Sequence, residues 1–377
     1  MTALDDVIAD RVARFGSLRF DEYVDLALNH PSGGFFAAGG RAGRAEGDFI
    51  TSPEVGPLFG AVVARRLDAR WEELGHPDPF VVVEAGAGRG ALAISVLAAA
   101  PRCAHALRYV LVESSPALRE AQSRHLALVH PFEVLGPDSD PEDGRPAPGA
   151  GTGPLVCSLE DLPAQRVDGV VLANELLDNL PFRLLERGED GWLEVRVALD
   201  AGRLVELPVG ASDDDASRAD ALAPGAPVGA RLPLQDAAGE WLRRALGTLE
   251  RGTVLVVDYA DATPALASRP WAEWLRTYRG HARGGGPLDA PGSQDVTCEV
   301  AVDQLAAVAR PDVDRTQADW LRHWGIGALV DEGRRIWEER AGVGDLAALR
   351  ARSRGVEAEA LTDPTGLGAF RALEWHR

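Results

Sequence analysis

A loop with glycine at every second position is the strongest chemical signal in the sequence. It runs from Glu84 to Gly90 as Glu-Ala-Gly-Ala-Gly-Arg-Gly, between a predicted strand and a predicted helix. Glycine has no Cβ, so the backbone can approach a ligand closely, and the start of the helix offers N–H groups without intrahelical partners. The third glycine comes one residue too early for the G-x-G-x-x-G pattern of dinucleotide-binding proteins, in which a pyrophosphate must fit. The spacing favours a ligand with a ribose and no pyrophosphate over a nicotinamide dinucleotide.

Two carboxylates are placed to contact such a ligand. Glu113 ends the next predicted strand, 23 residues beyond Gly90, where an acid can accept hydrogen bonds from both hydroxyls of a ribose. Glu84, at the start of the loop, is predicted to reach a positively charged amino-acid portion of the ligand. The alternative is a tight turn from strand to helix that binds no ligand.

A second group of polar residues, Asn174, Glu175 and Asp178, follows a later predicted strand. Ligands of parallel sheets bind at the carboxyl ends of the strands, so this loop is expected close to the glycine loop, facing a second substrate. A carboxylate can hold a guanidinium through paired N–H groups, so Glu175 or Asp178 is a candidate for orienting an arginine. The alternative is that Asn174 caps a helix and that the acids favour its first turn.

Strands that alternate with helices must position these loops. The β-branched runs that predict strands are Phe80–Glu84, Arg108–Glu113, Gly169–Ala173 and Thr253–Val257, and Phe370–Trp375 is a candidate for a last edge strand. Strands separated by helices indicate a parallel sheet with right-handed crossovers, and therefore a Rossmann-like α/β fold.

Composition restricts the partners and the compartment. The net charge of −19 should repel nucleic-acid phosphates and anionic lipids, although it also fits simple solubility. Three distant cysteines without a CxxC pair argue against a disulfide framework and a metal site. The chain starts without a secretory or basic transit segment, and it contains no apolar run of about 20 residues. We therefore expect a cytoplasmic protein without nucleic-acid binding, membrane insertion or metal; the oligomeric state stays open.

Several segments, taken together, resemble the MidA family of methyltransferases, which includes an enzyme that methylates a protein arginine. The most specific of them is Gly47-Asp-Phe-Ile-Thr-Ser-Pro-Glu54. The others are the two loops described above, Leu58-Phe59-Gly60, Asp258-Tyr259, Leu275–His281 and Gly292–Thr297. The matching segments occur in order from about residue 15 to residue 375, so the resemblance covers nearly the whole chain.

The resemblance implies a class I methyltransferase fold, S-adenosyl-L-methionine as cofactor, and a helical lobe inserted over the site. It also implies roles for particular residues. The cofactor would be bound by Glu84, Gly86, Gly88, Gly90 and Glu113, with Thr51, Ser52, Pro53 and Glu54 as part of the wall, and the catalytic residues facing the acceptor would be Asn174, Glu175 and Asp178. The predicted activity is methylation of a protein arginine. The alternatives are methylation of a small molecule, or a non-catalytic assembly factor that binds the cofactor.

The implied organisation has four consecutive parts. Residues 1–75 form a helical N-terminal region that completes the cofactor site, and 76–265 form the methyltransferase core with inserted loops. Residues 266–355 form a helical lobe on the substrate side, and 356–377 return to the sheet. Within the lobe, the glycine-rich segment 276–286 is predicted to close over a substrate, with a plain surface loop as the alternative.

Overall fold

The computed structural model describes residues 3–37, 51–136, 149–279 and 282–377. Its helices are α1 Ala3–Phe15, α2 Phe20–Asn29, α3 Ser52–Val55, α4 Pro57–Glu73, α5 Ala91–Ala98, α6 Pro116–Gln122, α7 Pro131–Leu135, α8 Asp213–Leu222, α9 Asp236–Thr248, α10 Thr263–Ala267, α11 Val302–Val308, α12 Gln317–His323, α13 Ile326–Arg340 and α14 Leu346–Leu361. Short 3₁₀ helices lie at Arg102–Ala106, Leu177–Asn179, Trp271–Glu273 and Leu367–Ala369. No helix in these ranges combines the length and apolar character needed to cross a bilayer.

The strands are β1 Leu18–Arg19, β2 Phe80–Ala85, β3 Leu107–Val112, β4 Leu155–Leu159, β5 Val167–Asn174, β6 Arg183–Arg187, β7 Trp192–Asp200, β8 Arg203–Gly210, β9 Arg231–Leu234, β10 Leu249–Asp258, β11 Ala260–Asp261, β12 Leu275–Arg279, β13 Ala282–Arg283, β14 Asp295–Cys298, β15 Val300–Ala301, β16 Val313–Thr316 and β17 Arg371–His376. The chain forms two compact units, which we name by their sheets. The parallel-sheet unit comprises Ile50–Glu175, Arg244–Val257 and Pro311–Arg377. The antiparallel-sheet unit comprises Met1–Phe49, Leu176–Arg243 and Asp258–Arg310.

The parallel-sheet unit contains a seven-stranded sheet of order β16-β17-β10-β5-β2-β3-β4. The five strands from β10 to β4 are parallel, so the loops that follow β2, β3 and β5 leave the same edge of the sheet. Strands β16 and β17 pair in an antiparallel manner. Gly252 and Arg377 exchange both backbone hydrogen bonds, which is the antiparallel pattern. The strand predicted at the C-terminal end therefore lies inside the sheet, between β10 and β16.

The parallel strands of this unit have continuous apolar runs because the core covers both of their faces. Every residue of β2 and β3 is buried, as expected for strands covered on both faces. Leu58, Phe59 and Val62 of α4 pack in the same apolar cluster as Phe80 and Val82 of β2. This packing fixes the end of β2, from which the glycine loop leaves.

The antiparallel-sheet unit is not purely helical. A five-stranded sheet has the order β1-β7-β6-β9, with β8 on β7, and a three-stranded sheet has the order β13-β12-β14. The helices α1 and α2 share an apolar cluster with residues of these strands, including Phe20, Tyr23, Phe182 and Trp274. Along β12, buried and partly exposed side chains alternate, which is strand periodicity rather than helix periodicity.

The observed units differ from the four consecutive parts expected from the sequence. Residues 1–75 divide between both units, because Met1–Phe49 belongs with the antiparallel sheets. The predicted lobe 266–355 also divides, with β12 to β14 in one unit and α12, α13 and most of α14 in the other. The physical reason is that the segments after β5 and after β10 fold together with the N-terminal segment, so that each unit is built from pieces distant in the chain.

Candidate functional site

The three glycines after β2 adopt backbone conformations that other residues rarely take. Gly86, Gly88 and Gly90 have φ angles of 68°, 53° and 83°, all in the left-handed region that favours glycine. A Cβ on Gly90 would lie 2.8 Å from Leu126 Cδ1, whereas one on Gly88 would meet no heavy atom of the described residues within 4 Å. A side chain at Gly90 would require Leu126 to move in addition to adopting an unfavourable φ, whereas Gly88 leaves open space against its backbone.

Side chains from β3, α6 and β4 hold this loop. Glu113 Oε2 accepts a 2.9 Å hydrogen bond from the Gly88 N–H, and Oε1 accepts a 2.8 Å bond from the Ser115 N–H. The Gln122 side chain donates to the Gly88 carbonyl at 2.8 Å and accepts from the Ser158 hydroxyl at 2.6 Å. The loop conformation is thus fixed on both sides of Gly88.

Glu113 retains acceptor capacity after making these bonds. An ionised carboxylate offers about four acceptor positions, and the bonds to Gly88 and Ser115 use two of them. Burial raises the pKa of Glu113, while the Ser115 and Gly88 N–H groups and the charge of Arg119 act in the opposite direction. The residue can accept further hydrogen bonds, and its contact with vicinal hydroxyls of a ribose stays a prediction.

Glu84 is buried at the end of β2. Its Oε2 accepts a 2.6 Å hydrogen bond from the Tyr109 hydroxyl of the neighbouring strand β3. Burial raises its pKa to about 7, against the lowering effects of Tyr109 and of the Ala93 N–H at the start of α5. Glu84 is thus held by β3 and by the start of α5, and its predicted contact with a charged part of the cofactor remains a prediction.

The segment Thr51–Glu54 begins the short helix α3 in the same unit. Glu54 Oε2 accepts from the Thr51 N–H at 3.1 Å, and Pro53 lies within the helix. The Ser52 hydroxyl donates to Gln317 Oε1 at 3.0 Å, and the Ser52 N–H donates to Glu175 Oε1 at 3.0 Å. The segment is therefore connected to the end of β5; residues 47–50 of the same sequence motif lie outside the described residues.

Strand β5 ends at Asn174, and the next residue, Glu175, has a strained backbone conformation. Glu175 has φ of 51°, which is costly for a residue with a side chain and is common at functional sites. The Asn174 amide donates to Glu175 Oε1 at 3.1 Å. Asn174 Oδ1 is buried and has no hydrogen-bond partner among the described residues. The alternative that Asn174 caps a helix is wrong, because Leu176 precedes the 3₁₀ helix at Leu177–Asn179.

Asp178 lies in the antiparallel-sheet unit and is 2% exposed. Its Oδ2 accepts a 2.6 Å hydrogen bond from the Tyr259 hydroxyl. Asp258 Oδ2 accepts from the N–H groups of Leu177 and Asp178, at 3.0 and 3.4 Å. Burial raises the pKa of Asp178 to about 6, although the bond from Tyr259 lowers it. Asp178 Oδ1 has no hydrogen-bond partner in the described part of the chain.

The sequence assigns no catalytic or cofactor-binding role to other polar residues close to Asp178 or to Tyr259. The Asn179 amide donates to Asp295 Oδ1 at 2.8 Å and to the Val296 carbonyl at 3.2 Å. The Arg276 guanidinium lies 5.5 Å from the centre of the Tyr259 ring. The sequence does draw attention to Asp258-Tyr259 and Gly292–Thr297, because both segments resemble the MidA family. However, no local spacing indicates that either segment contacts the neighbourhood of Asp178.

The structure groups the predicted site residues in two sets. Thr51 to Glu54, the glycine loop, Glu113, Asn174 and Glu175 belong to the parallel-sheet unit, and Asp178 belongs to the antiparallel-sheet unit. The chain passes from one unit to the other between Glu175 and Leu176. Within the first set, direct bonds join Gly88 to Glu113 and Ser52 to Glu175.

The segment 276–286, predicted to close over a substrate, is held by hydrogen bonds where it is described. The Thr277 hydroxyl donates to the Gly285 carbonyl at 2.7 Å. The Gln294 amide donates to the Gly286 carbonyl at 2.8 Å, and the Tyr23 hydroxyl donates to the Pro287 carbonyl at 2.8 Å. Gly280 and His281 lie outside the described residues. Closure of this segment stays a prediction.

A family model matches residues 62–318, more than half of the chain. The family is described as "Putative S-adenosyl-L-methionine-dependent methyltransferase". Among solved structures, a methyltransferase-like protein of Burkholderia thailandensis bound to S-adenosyl-homocysteine has a TM-score of 0.81 and 27% sequence identity to this chain. The superposition covers 100% of this chain and 92% of that protein. A native structure from the same organism has a TM-score of 0.79 and 26% identity, with coverage of 100% and 91%. These likenesses confirm the predicted Rossmann-like class I fold.

Curated relatives carry the name protein arginine methyltransferase NDUFAF7, mitochondrial. The Danio rerio protein is 27% identical over 337 residues, which are 86% of this chain and 76% of that protein. The Drosophila melanogaster homologue is 34% identical over 191 residues, which are 50% of this chain and 43% of that protein. The predicted cytoplasmic location is wrong, because these relatives are named as mitochondrial. The expectation rests on the small number of cysteines and on the acidic first residues, and neither feature distinguishes the cytoplasm from the mitochondrion.

Proposed function

Because the chain belongs to the family of S-adenosylmethionine-dependent methyltransferases that matches residues 62–318, we propose that it methylates an arginine side chain of a protein. Membership confirms the resemblance to the MidA family, and with it the predicted enzyme class and methyl donor. The arginine acceptor is supported by the names of the curated relatives, which are protein arginine methyltransferases.

The observation that carries the acceptor class is the carboxylate of Asp178. It is buried, one oxygen is held by Tyr259, and the other has no hydrogen-bond partner among the described residues. An unpaired buried carboxylate oxygen is costly, and a guanidinium N–H is a strong partner for it. A neutral acceptor would not compensate the negative charge, whereas an arginine side chain would.

The residues of the parallel-sheet unit fit the donor. Gly88 leaves open space against its backbone, Glu113 has remaining acceptor capacity for the ribose hydroxyls, and Asn174 Oδ1 is a buried acceptor without a described partner. Thr51, Ser52, Pro53 and Glu54 would form part of the wall, and Glu84 would support the start of the loop. When bound, S-adenosylmethionine supplies a methyl group on a sulfonium.

Methyl transfer to a guanidinium nitrogen forms a C–N bond, breaks a C–S bond and releases one proton. The chain's main task is alignment of the acceptor and exclusion of water. We assign the orientation of the guanidinium to Asp178 Oδ1. With a pKa of about 6, Asp178 is ionised near neutral pH and can take up the released proton as a general base.

The experiment uses protein extracted from cells of the source organism in which the gene is deleted. The extract is incubated with the purified full chain and S-adenosylmethionine labelled in its methyl group, then hydrolysed to amino acids. Label in methylarginine supports the proposal. Label only in methyllysine or in the low-molecular-mass fraction would overturn it, and so would donor binding without any transfer.

Asp178→Asn is the informative variant, with Asp213→Asn as its matched control. Asp213 is an exposed residue of α8 in the same unit. We expect Asp178→Asn to lower transfer by about a hundredfold or more, since a charge-assisted bond to the acceptor is lost, with unchanged affinity for the donor. Asp213→Asn should retain full transfer. Unchanged transfer by Asp178→Asn would remove this carboxylate from the mechanism.

A further inference from the structure

We propose that Tyr259 is a positioning residue for methyl transfer, holding Asp178 so that Oδ1 is presented to the acceptor guanidinium. The inference rests on the function proposed above. Tyr259 does not itself contact the acceptor in this scheme, and it acts through Asp178. It follows Asp258, the last residue of β10, and is 81 residues from Asp178 in the chain.

Asp178 is restrained at both its side chain and its backbone. The Tyr259 hydroxyl donates to Oδ2 at 2.6 Å, which is a short bond of the kind expected for a charged acceptor. Asp258 Oδ2 accepts from the N–H groups of Leu177 and Asp178, and the Tyr259 N–H donates to Asp258 Oδ1 at 3.0 Å. Asp258 therefore fixes the backbone of the 3₁₀ turn, and Tyr259 fixes the carboxylate of Asp178.

The surroundings of Asp178 show why a hydroxyl donor is needed. The other titratable or charged groups around it are Asp258 on β10, Asp295 and Cys298 on β14, and Arg276 on β12. Burial favours protonation of Asp178, and hydrogen bonds donated to its carboxylate favour the ionised form. Arg276 lies over the Tyr259 ring and bonds to Glu299 and the Glu273 carbonyl, so among the described contacts it is Tyr259 that donates a side-chain bond to Asp178.

The substitution Tyr259→Phe removes the hydroxyl and keeps the ring. Two consequences follow. Asp178 loses a bond that lowers its pKa, so its pKa rises above about 6. Since the ionised form binds the guanidinium, the acid limb of the pH–rate profile moves to higher pH. The carboxylate also becomes free to rotate, so kcat falls by about tenfold or more even at high pH.

The matched control is Tyr23→Phe. Tyr23 is a buried tyrosine of the same unit as Tyr259, which is half-buried, and the Tyr23 hydroxyl donates a 2.8 Å bond to the Pro287 carbonyl. Each variant loses one hydroxyl bond, so Tyr23→Phe should lose at least as much stability as Tyr259→Phe. Tyr23→Phe should keep the wild-type acid limb and kcat, and both variants should bind S-adenosylmethionine with unchanged affinity.

The test measures the titration of Asp178 directly, by ¹³C NMR of the full chain labelled in aspartate carboxyl groups, with the signal assigned by its loss in Asp178→Asn. We expect the titration midpoint of Asp178 in Tyr259→Phe to be higher than in wild type by at least about half a pH unit. The acid limb of methyl transfer by Tyr259→Phe should shift by the same amount. Tyr23→Phe should show neither shift. Midpoints that agree in wild type and Tyr259→Phe would overturn the inference. This readout does not need an acceptor, so it tests the effect of Tyr259 on Asp178 separately from the acceptor class, which the labelling experiment above tests.

Discussion

The Tyr109 hydroxyl donates a 2.6 Å hydrogen bond to Glu84 Oε2, at the start of the glycine loop. This bond links β2, near its end, to its parallel neighbour β3. Burial is the largest influence on Glu84 and raises its pKa from 4.5 to about 7. A carboxylate at the start of the cofactor loop is therefore close to half protonated near neutral pH.

We predict that the stability of Glu84→Gln relative to wild type is higher at pH 8 than at pH 4. The unfolded carboxyl loses its proton near pH 4.5 and the folded one near pH 7, so the unfolded state binds fewer protons between these values and wild-type stability falls as pH rises. Each pKa unit is worth about 1.4 kcal/mol, so the variant should gain about 3 kcal/mol over this interval. The midpoint of urea unfolding at both pH values measures it.

The control for this prediction is Glu250→Gln, at an exposed glutamate of β10 in the same unit. It removes the same charge from the surface, so it should not reproduce the gain expected for Glu84→Gln between pH 4 and pH 8. A pH-independent effect of Glu84→Gln would show that Glu84 titrates alike in the folded and unfolded states.

A second prediction compares Gly88→Ala with Gly75→Ala. Both glycines have positive φ, 53° and 81°, and a Cβ on either meets no described heavy atom within 4 Å. Both variants should therefore lose about 1 kcal/mol of stability from the left-handed conformation. Only Gly88 lies in the cofactor loop, so calorimetric titration should show that Gly88→Ala alone weakens binding of S-adenosylmethionine, by about tenfold or more. Equal affinities in the two variants would place the ligand elsewhere.

The parallel sheet could be predicted from the sequence because its strands are buried on both faces. The predicted strands Phe80–Glu84 and Gly169–Ala173 begin within two residues of β2 and β5, since short continuous β-branched runs are typical of strands covered on both sides. The strands of the antiparallel-sheet unit carry charged residues on a partly exposed face. In β6, for example, Arg183, Glu186 and Arg187 flank two leucines, so the apolar run is too short to indicate a strand.

The same contrast holds for the candidate site. Gly88 and Glu113 are joined by a bond that the spacing anticipates, because a strand end and the next strand end are neighbours in a parallel sheet. The bond between Tyr259 and Asp178 joins residues 81 positions apart. It depends on how two insertions fold against each other, and no local pattern of residue types contains that information.

A third prediction concerns Glu113, whose carboxylate both holds the loop and is proposed to accept from the ribose. Glu113→Ala removes the bonds to the Gly88 and Ser115 N–H groups and the proposed bonds to two hydroxyls. Charge-assisted bonds are worth about 1.5–3 kcal/mol each, so affinity for S-adenosylmethionine should fall by about a hundredfold in calorimetric titration.

Glu120→Ala is the control for Glu113→Ala, since Glu120 is an exposed glutamate of α6 and should leave affinity unchanged. The reduced nicotinamide dinucleotide NADH serves as the control ligand. Saturable binding of NADH with no binding of S-adenosylmethionine would contradict the interpretation of the glycine spacing.

A fourth prediction concerns the buried ion pair between Arg66 and Glu374, which supports the packing of α4 on β17. Glu374 Oε2 accepts a 2.8 Å bond from Arg66, and Oε1 accepts one of 2.8 Å from the Trp320 indole. Burial acts to raise the pKa of Glu374, but the bonds from Arg66 and Trp320 together with the charges of Arg66 and His376 outweigh it and lower the pKa. Glu374→Gln leaves Arg66 buried without its main counter-charge, so the free energy of unfolding should fall by about 3 kcal/mol or more at pH 7.

The pH dependence separates this loss from a simple packing defect. Because the folded pKa of Glu374 is depressed, its contribution is present above the ordinary pKa of a glutamate and is lost as pH falls through the folded value. The difference between wild type and Glu374→Gln should therefore shrink below about pH 4, a value near the ordinary glutamate pKa. The exposed pair of Arg243 and Glu240 provides the control, since Glu240→Gln should cost at most about 1 kcal/mol. A loss for Glu374→Gln that stays constant down to pH 3 would mean that packing, and not charge, is what the substitution removes.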